Sequence, residues 1–289
     1  MPYSNPNALV STAWLAEHLN APDVRVVDAS YYLPNEGLDP RAEHALHRIP
    51  GAVFFDIDEI ADSGSDLPHM LPPPEKFSSR VRKLGLGDGV RIVVYDQRGI
   101  FSAPRVWWTF RVFGHDDIAV LDGGLPKWMA EGRPVTEGPG QAGERHFTAR
   151  MNTLMVRDRD QLLSNLKSGR EQVLDARSRG RFEGREPEPR EGLRGGHIPG
   201  SLNLPFTDLL DSETQTMLPP EEIRTRLAAA GVEPKRPVTT TCGSGITAGV
   251  LALALHLTGH RDVAVYDGSW CEWGLPGEQP VDTGPAAQR

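Results

Sequence analysis

The stretch "GHRDVAVYDGSWCEW" (Gly259–Trp273) repeats "GHDDIAVLDGGLPKW" (Gly114–Trp128), and the two lie 259 − 114 = 145 residues apart. Upstream the echo continues. "GHIPGSLNLP" (Gly196–Pro205) resembles "HRIPGAVFFD" (His47–Asp56), at an offset of 198 − 49 = 149. "VLDAR" (Val173–Arg177) resembles "VVDAS" (Val26–Ser30), at an offset of 174 − 27 = 147. Three matches in order at nearly constant spacing mean a duplicated domain of about half the chain, since a period this long is not that of a solenoid. Between the halves runs "EGRPVTEGPGQAGERHF" (Glu131–Phe147), rich in Gly, Pro and charge, as suits a surface connector. The expected domains are residues 1–140 and 141–289.

Each half alternates strand and helix signals. In the first, Val24–Asp28, Val90–Asp96 and Ile118–Leu121 read as strands, and Pro74–Leu84 and Ala103–Phe113 as helices. In the second, Gln172–Asp175, Pro237–Thr241 and Val263–Tyr266 read as strands, and Pro220–Ala230 and Thr247–Thr258 as helices. That alternation predicts an α/β fold, two tandem domains each with a mostly parallel sheet flanked by helices. Ligands in such sheets sit beyond the carboxyl ends of the strands.

The 289 residues carry 31 Lys plus Arg and 39 Asp plus Glu, a net charge of −8, so nothing global draws the chain to nucleic acid or an anionic membrane. Any bound anion needs local groups. Two cysteines in a chain this long are no disulfide framework and fit a reducing, cytoplasmic setting. Met1 to Leu15 shows no basic stretch followed by an apolar run, so no secretory signal is expected. Nor is there an uncharged apolar run of about 18 residues that would span a membrane.

The strongest local signal is "PVTTTCGSGITAGVLALALHLTG" (Pro237–Gly259). A β-branched strand runs into Cys242, a loop follows, and an apolar helix starts near Thr247. Gly243 and Gly245 let the backbone curl so that successive N–H groups point inward, and the helix dipole adds to the field. Such a cradle favours a thiolate, the form a sulfur nucleophile needs. Matching Gly99–Ile100 to Gly245–Ile246 puts Asp96 where Cys242 sits, so the first half has no thiol chemistry at that place.

The chain resembles the tandem-domain rhodanese-like sulfurtransferases over essentially its full length. The resemblance rests on "IPGA…FFDID", "APRVWWTFRVFGH", "LDGGLPKW", "GRFEGREPEPR", "GHIPGS", "CGSGITA" and "YDGSWCEWG". Within that family it looks like the 3-mercaptopyruvate branch, which carries a CGSGVTA-type loop, whereas thiosulfate-using members carry basic residues after the cysteine. Here Gly243 and Ser244 are neutral. Thiosulfate is a compact dianion that benefits from a cation in the loop; mercaptopyruvate bears its charge on a carboxylate several atoms from the sulfur. The resemblance implies a catalytic Cys242 and a substrate-binding loop of Gly243, Gly245, Ile246 and Thr247. It implies a carboxylate clamp of Arg181 and Arg190, with Arg185 outside it, and arginine suits bidentate capture of a carboxylate. It also implies a relay of Ser244 with His69 and Asp58 from the first half. The implied chemistry is a Cys242 persulfide that passes sulfur to a thiol, a thioredoxin or cyanide, with release of pyruvate and without metal or organic cofactor. Cys271, Trp270, Trp273 and the Trp107–Trp108 doublet read as structural or cleft wall.

The nearest rival is a thiosulfate:cyanide sulfurtransferase on the same fold. A cysteine phosphatase would need an arginine six residues after the cysteine, where Ala248 stands. A non-enzymatic sulfur-binding scaffold would not need the cysteine, the glycines and the arginines together in the second half.

Overall fold

The computed structural model describes residues 2–140 and 143–286. Ten strands form two five-stranded sheets. The first holds β1 (Leu9–Val10), β2 (Val24–Asp28), β3 (Val53–Phe54), β4 (Arg91–Tyr95) and β5 (Ile118–Leu121), in the order β1-β5-β4-β2-β3. The second holds β6 (Val156–Arg157), β7 (Gln172–Asp175), β8 (Leu202–Asn203), β9 (Val238–Thr241) and β10 (Val263–Tyr266), in the order β6-β10-β9-β7-β8. Every pairing is parallel, and adding five to each strand number of the first sheet gives the second. Two copies of one α/β fold therefore stand in tandem, as the repeats predict.

Ten helices flank the sheets. The first half has α1 (Thr12–His18), α2 (Pro40–Leu46), α3 (Pro74–Lys83), α4 (Ala103–Val112) and α5 (Gly124–Ala130). The second has α6 (Arg159–Ser168), α7 (Arg179–Phe182), α8 (Pro220–Ala229), α9 (Ala248–Leu257) and α10 (Ser269–Trp273). Both faces of the sheets are covered. Val93 and Tyr95 of β4 pack with Leu15 and Trp128, while Ile92 and Val94 face Phe77 and Phe110. Alternate residues of one strand thus fill two cores, which is why β4 reads as a continuous apolar run. None of the described helices is long and apolar enough to cross a membrane.

The halves are joined through α4 and α9, which pack against each other inside one shared core. All of α9 except His256 is buried, as expected of a helix apolar all round. Gly249 makes the close approach possible: a Cβ there would sit 2.7 Å from the backbone nitrogen of Arg105. The N-terminal segment also crosses to the second half. Ser4 N donates to Leu257 O at 2.8 Å, Asn5 Nδ2 to His256 O at 2.7 Å and Tyr3 OH to Leu218 O at 2.8 Å. The boundary proposed between 140 and 141 adjoins Gln141 and Ala142, which lie outside the described residues. Beyond it, Phe147 packs on Phe77 and Phe110 of the first half.

The duplication has a reciprocal contact. Leu71 N of the first half donates to Asp267 Oδ2, at the end of β10, at 2.8 Å. Met217 N of the second donates to Asp122 Oδ1, at the end of β5, also at 2.8 Å. These are equivalent positions, since 217 − 71 = 146 and 267 − 122 = 145. His69 and Gln215, 146 residues apart, both hold a left-handed backbone, φ 61° and 56°. Few non-glycine residues adopt it. Each half therefore lays a loop over the strand ends of the other.

Burial pushes the Asp122 carboxyl up to about 6, against the pull of Met217 N–H and Lys127. The folded acid then holds its proton more tightly than the unfolded one, whose pKa is about 3.9. Its contribution to stability falls as pH rises from about 4 to about 6 and is flat above. Asp122→Asn keeps the acceptor for Met217. It is expected to be the more stable protein at neutral pH by roughly 2 kcal/mol, and to match wild type near pH 4. Urea denaturation of both at the two pH values checks this; a constant difference would assign the effect to something other than Asp122 titration.

Candidate active site

Cys242 follows β9 directly and is 2% exposed. Its Sγ accepts the N–H of Gly245 at 3.1 Å, and Gly245 has φ +82°, a conformation glycine takes without penalty. The start of α10 docks on the loop: Cys242 N donates to Ser269 Oγ at 3.3 Å, Trp270 N to Cys242 O at 3.0 Å and Cys271 N to Gly243 O at 2.8 Å. Cys271 is thus placed beside the loop. Burial pushes its thiol up to about 11, with Arg190 pulling down and the Cys242 and Glu188 charges pushing further up.

The first half holds the same cradle with its own anion inside. Oδ2 of Asp96 accepts three N–H groups, from Phe101 at 2.8 Å, Ser102 at 2.9 Å and Ala103 at 2.9 Å. Oδ1 accepts a fourth, from Arg98, at 2.9 Å. Burial pushes the Asp96 acid up and these donors pull it down, with burial the larger effect. Four donors offer no acceptor for an acid proton, so the ionised form satisfies the geometry. Arg98 corresponds to 98 + 146 = 244, but α4 and α9 stand 248 − 103 = 145 residues apart, so the second loop is one residue shorter and Ser102 and Ala103 correspond to Thr247 and Ala248. The N–H groups of Ser244, Thr247 and Ala248 make no hydrogen bond among the described residues. An aspartate oxygen and the outer sulfur of a cysteine persulfide are both three atoms from Cα. The Asp96 oxygen therefore marks where such a sulfur would lie.

Arg181, on α7, reaches this loop from the side. A Cβ on Gly243 would lie 2.9 Å from its Nη2, so the missing side chain at 243 is what lets the guanidinium in. Nε and Nη2 of Arg181 both donate to Glu188 Oε2, the former at 3.2 Å. The other Glu188 oxygen accepts Arg177 Nη1 at 2.7 Å, and Arg177 also pairs with Asp175. The Glu188 side chain is 2% exposed, so the row Asp175–Arg177–Glu188–Arg181 is an ion ladder within the protein. Arg190 belongs to no such ladder. It donates to Tyr31 OH at 3.1 Å and has no carboxylate within ion-pair distance among the described residues. Its charge acts on the Asp58 carboxylate only across a longer distance than an ion pair. Arg185 pairs with Glu183, and its side chain is 66% exposed.

Nη2 of Arg190 also lies 3.2 Å from Nε2 of His69. A guanidinium only donates, so Nε2 carries no proton and the ring N–H is at Nδ1. Nδ1 lies 2.6 Å from Asp58 Oδ1, with the N–H off the line to that oxygen. Burial lowers His69 below its ordinary value, and Asp58 only partly restores it. Burial works against the Asp58 carboxylate, but His69 and then Arg190 bring its pKa below the usual range. The structure joins His69 to Asp58 and to Arg190. It does not join them to Ser244, which is buried and has no side-chain hydrogen bond among the described residues. Ile246 is buried in the shared core, and Thr247 caps α9.

The family profile of the Rhodanese-like domain matches residues 11–131 and again 158–275. The chain belongs to the rhodanese-like family. Human 3-mercaptopyruvate sulfurtransferase is 46% identical over 272 residues, covering 92% of this chain and 91% of that protein. The thiosulfate sulfurtransferase of Bos taurus is 45% identical over 273 residues, with the same two coverages. Among solved structures, SseA from Escherichia coli, described as a 3-mercaptopyruvate sulfotransferase, matches with a TM-score of 0.84. It is 37% identical, and the match covers 91% of this chain and 98% of that one. Relatives with different named donors are almost equally similar, so overall identity does not separate them within the rhodanese-like family. Site chemistry must.

Four polar groups at this rhodanese-like site escape a reading by sequence: Tyr31, Arg105, Glu188 and Asp267. Glu188 alone left a signal, an acid set between two arginines in "GREPEPR". The others come from distant segments. Among the described residues, no group of three or more His, Cys, Asp or Glu is placed to hold a metal ion.

Gly243→Ala is expected to displace Arg181 while leaving the fold intact, because the clash is with a flexible side-chain end. The half-saturating concentration of a carboxylate-bearing sulfur donor should rise roughly tenfold, worth about 1.4 kcal/mol. Unchanged saturation in steady-state assays would disconnect position 243 from Arg181.

Proposed function

We propose that the protein is a 3-mercaptopyruvate sulfurtransferase that carries the sulfur on Cys242. The observation that carries this reading is the separation of charges. The loop after Cys242 is neutral at Gly243 and Ser244, and Arg181 and Arg190 stand outside it. A donor whose carboxylate is several atoms from its sulfur fits that spacing. Thiosulfate, with both charges beside the sulfur, would find no cation in the loop itself and is the second reading.

In the first step the carboxylate sits on Arg190 and Arg181, and the Cys242 thiolate attacks the substrate sulfur. The S–S bond forms, the C–S bond breaks, and its electron pair leaves with pyruvate as the enolate, which takes a proton to become the ketone. Ser244 Oγ, free of other hydrogen bonds, is available to the carbonyl oxygen as charge builds there. The persulfide anion left on Cys242 is held by the N–H groups of Ser244, Thr247 and Ala248, the counterparts of those around Asp96. In the second step a thiol, a thioredoxin-type dithiol or cyanide attacks the outer sulfur, and Cys242 leaves as thiolate. Such double displacement through a covalent intermediate is ping-pong chemistry. His69 contributes as a neutral ring whose Nε2 accepts from Arg190, orienting that guanidinium for the carboxylate. Two free thiols suit a reducing compartment such as the cytoplasm.

After treatment with 3-mercaptopyruvate and removal of excess donor, intact-mass analysis should show a gain of one sulfur atom on wild type and none on Cys242→Ser. The variant should have no turnover. Substantial turnover by Cys242→Ser would end the proposal. Arg190→Ala is expected to lower kcat/KM for mercaptopyruvate by about 10- to 100-fold, the loss of a charge-assisted hydrogen bond. Its effect with thiosulfate should be smaller. Equal losses with both donors would favour the thiosulfate reading.

A further inference from the structure

Arg105 lies in the first half, yet its guanidinium sits among groups of the second. The side chain is 3% exposed. Nη1 donates to Gly245 O at 3.3 Å, and Nη2 donates to His69 O at 2.5 Å. Nη2 also lies 2.7 Å from Asp267 Oδ1, and the guanidinium carbon is 4.6 Å from the centre of the Trp108 ring. The other Asp267 oxygen accepts Leu71 N, two residues after His69. One buried ion pair therefore holds the nucleophile loop, the loop that carries His69, and the end of β10.

We propose that Arg105 and Asp267 are a positioning pair that sets the cradle around the Cys242 sulfur and ties His69 to it across the two halves. This rests on the sulfur-transfer reading for its purpose but not for its geometry. The Gly245–Ile246 peptide whose carbonyl Arg105 holds is trans, like every described peptide bond. It separates the N–H that meets Sγ, from Gly245, from the N–H groups of Thr247 and Ala248. Holding that one peptide plane fixes the path of the chain between the two sets of donors. No side chain is tolerated at 245: a Cβ would lie 2.8 Å from Arg105 Nη1 and 2.9 Å from Asp267 O. The same guanidinium grips the carbonyl of His69, a residue held at φ 61°. Arg105 touches no reacting atom, so its part is to place groups that do.

The degenerate half shows what happens without such a cation. The position equivalent to Arg105 is 105 + 145 = 250 in the register of the two helices, and Val250 lies in the shared core. Asp122, the counterpart of Asp267, is left with a backbone N–H and the more distant Lys127, and burial raises it to about 6. That half closes around the Asp96 carboxylate, which supplies its own charge to the cradle. The second half has to hold its loop open for a sulfur that comes and goes, and there a buried arginine spans the gap.

The test uses the full chain in a Cys271→Ser background, so that Cys242 alone reports. The pH dependence of Cys242 alkylation by iodoacetamide is measured together with the rate and half-saturation of persulfide formation from mercaptopyruvate. Arg105→Met with Asp267→Asn removes both charges and leaves neither unpaired. Persulfide formation should slow about tenfold or more at saturating donor, with half-saturation little changed because Arg181 and Arg190 remain. The alkylation midpoint should move up by about one pH unit, a tenfold weaker preference for the thiolate. Arg105→Lys should fall between, since a single ammonium nitrogen keeps the charge but lacks the two separate guanidinium nitrogens that reach Gly245 O and His69 O. Wild-type rate and midpoint in the double variant would overturn the proposal. If the double variant does not fold, the same two readings on Arg105→Lys decide, and wild-type values overturn it. If wild type takes sulfur from no donor, the function reading has failed, and the alkylation midpoints still judge the pair.

Discussion

Backbone N–H groups crowded at the end of a central strand demand an anion, and both halves are organised around that demand. A buried donor without an acceptor costs roughly 1–3 kcal/mol, so several together cannot be left without an acceptor or water. In the first half the Asp96 carboxylate meets four of them permanently. In the second the Cys242 sulfur meets one, and three more make no hydrogen bond among the described residues. The strand–loop–helix order is the same in both, with the loop one residue shorter after Cys242, and only the first carries its anion permanently.

The duplicated halves complete each other through reciprocal loops. Because Leu71 reaches Asp267 while Met217 reaches Asp122, neither strand end is finished by its own half. The candidate site brings in Tyr31, Asp58, His69 and Arg105 from the half that has Asp96 in place of a thiol.

The central strands and the longer helices were legible in the sequence because β-branched runs and apolar periodicity mark them directly. Val24–Asp28, Ile118–Leu121, Gln172–Asp175 and Val263–Tyr266 match their predicted bounds. The two-residue strands β1, β3, β6 and β8 left no trace, since two residues carry no period. Cys242, Gly243 and Gly245 were legible from local spacing alone. Arg181, Arg190, His69 and Asp58 came only through resemblance, and their meeting depends on packing between the halves. The suggested link from His69 to Ser244 is not made in this structure, because Arg190 occupies Nε2 of the ring. Arg105 and Asp267 read as ordinary members of a helix and a strand end; only the approach of α4 to α9 gives them a shared place.

Ser4 and Asn5 are bonded to Leu257 and His256, about 250 residues further along the chain. On a ribosome, where domains fold as they emerge, the first half can close on Asp96 long before residue 242 is synthesised. The loop that carries His69 is set only when Asp267 of the second half arrives to take Leu71 N and Arg105. The reactive centre comes into being in a single closing event, when α9 docks on α4 and the N-terminus is tied down over it.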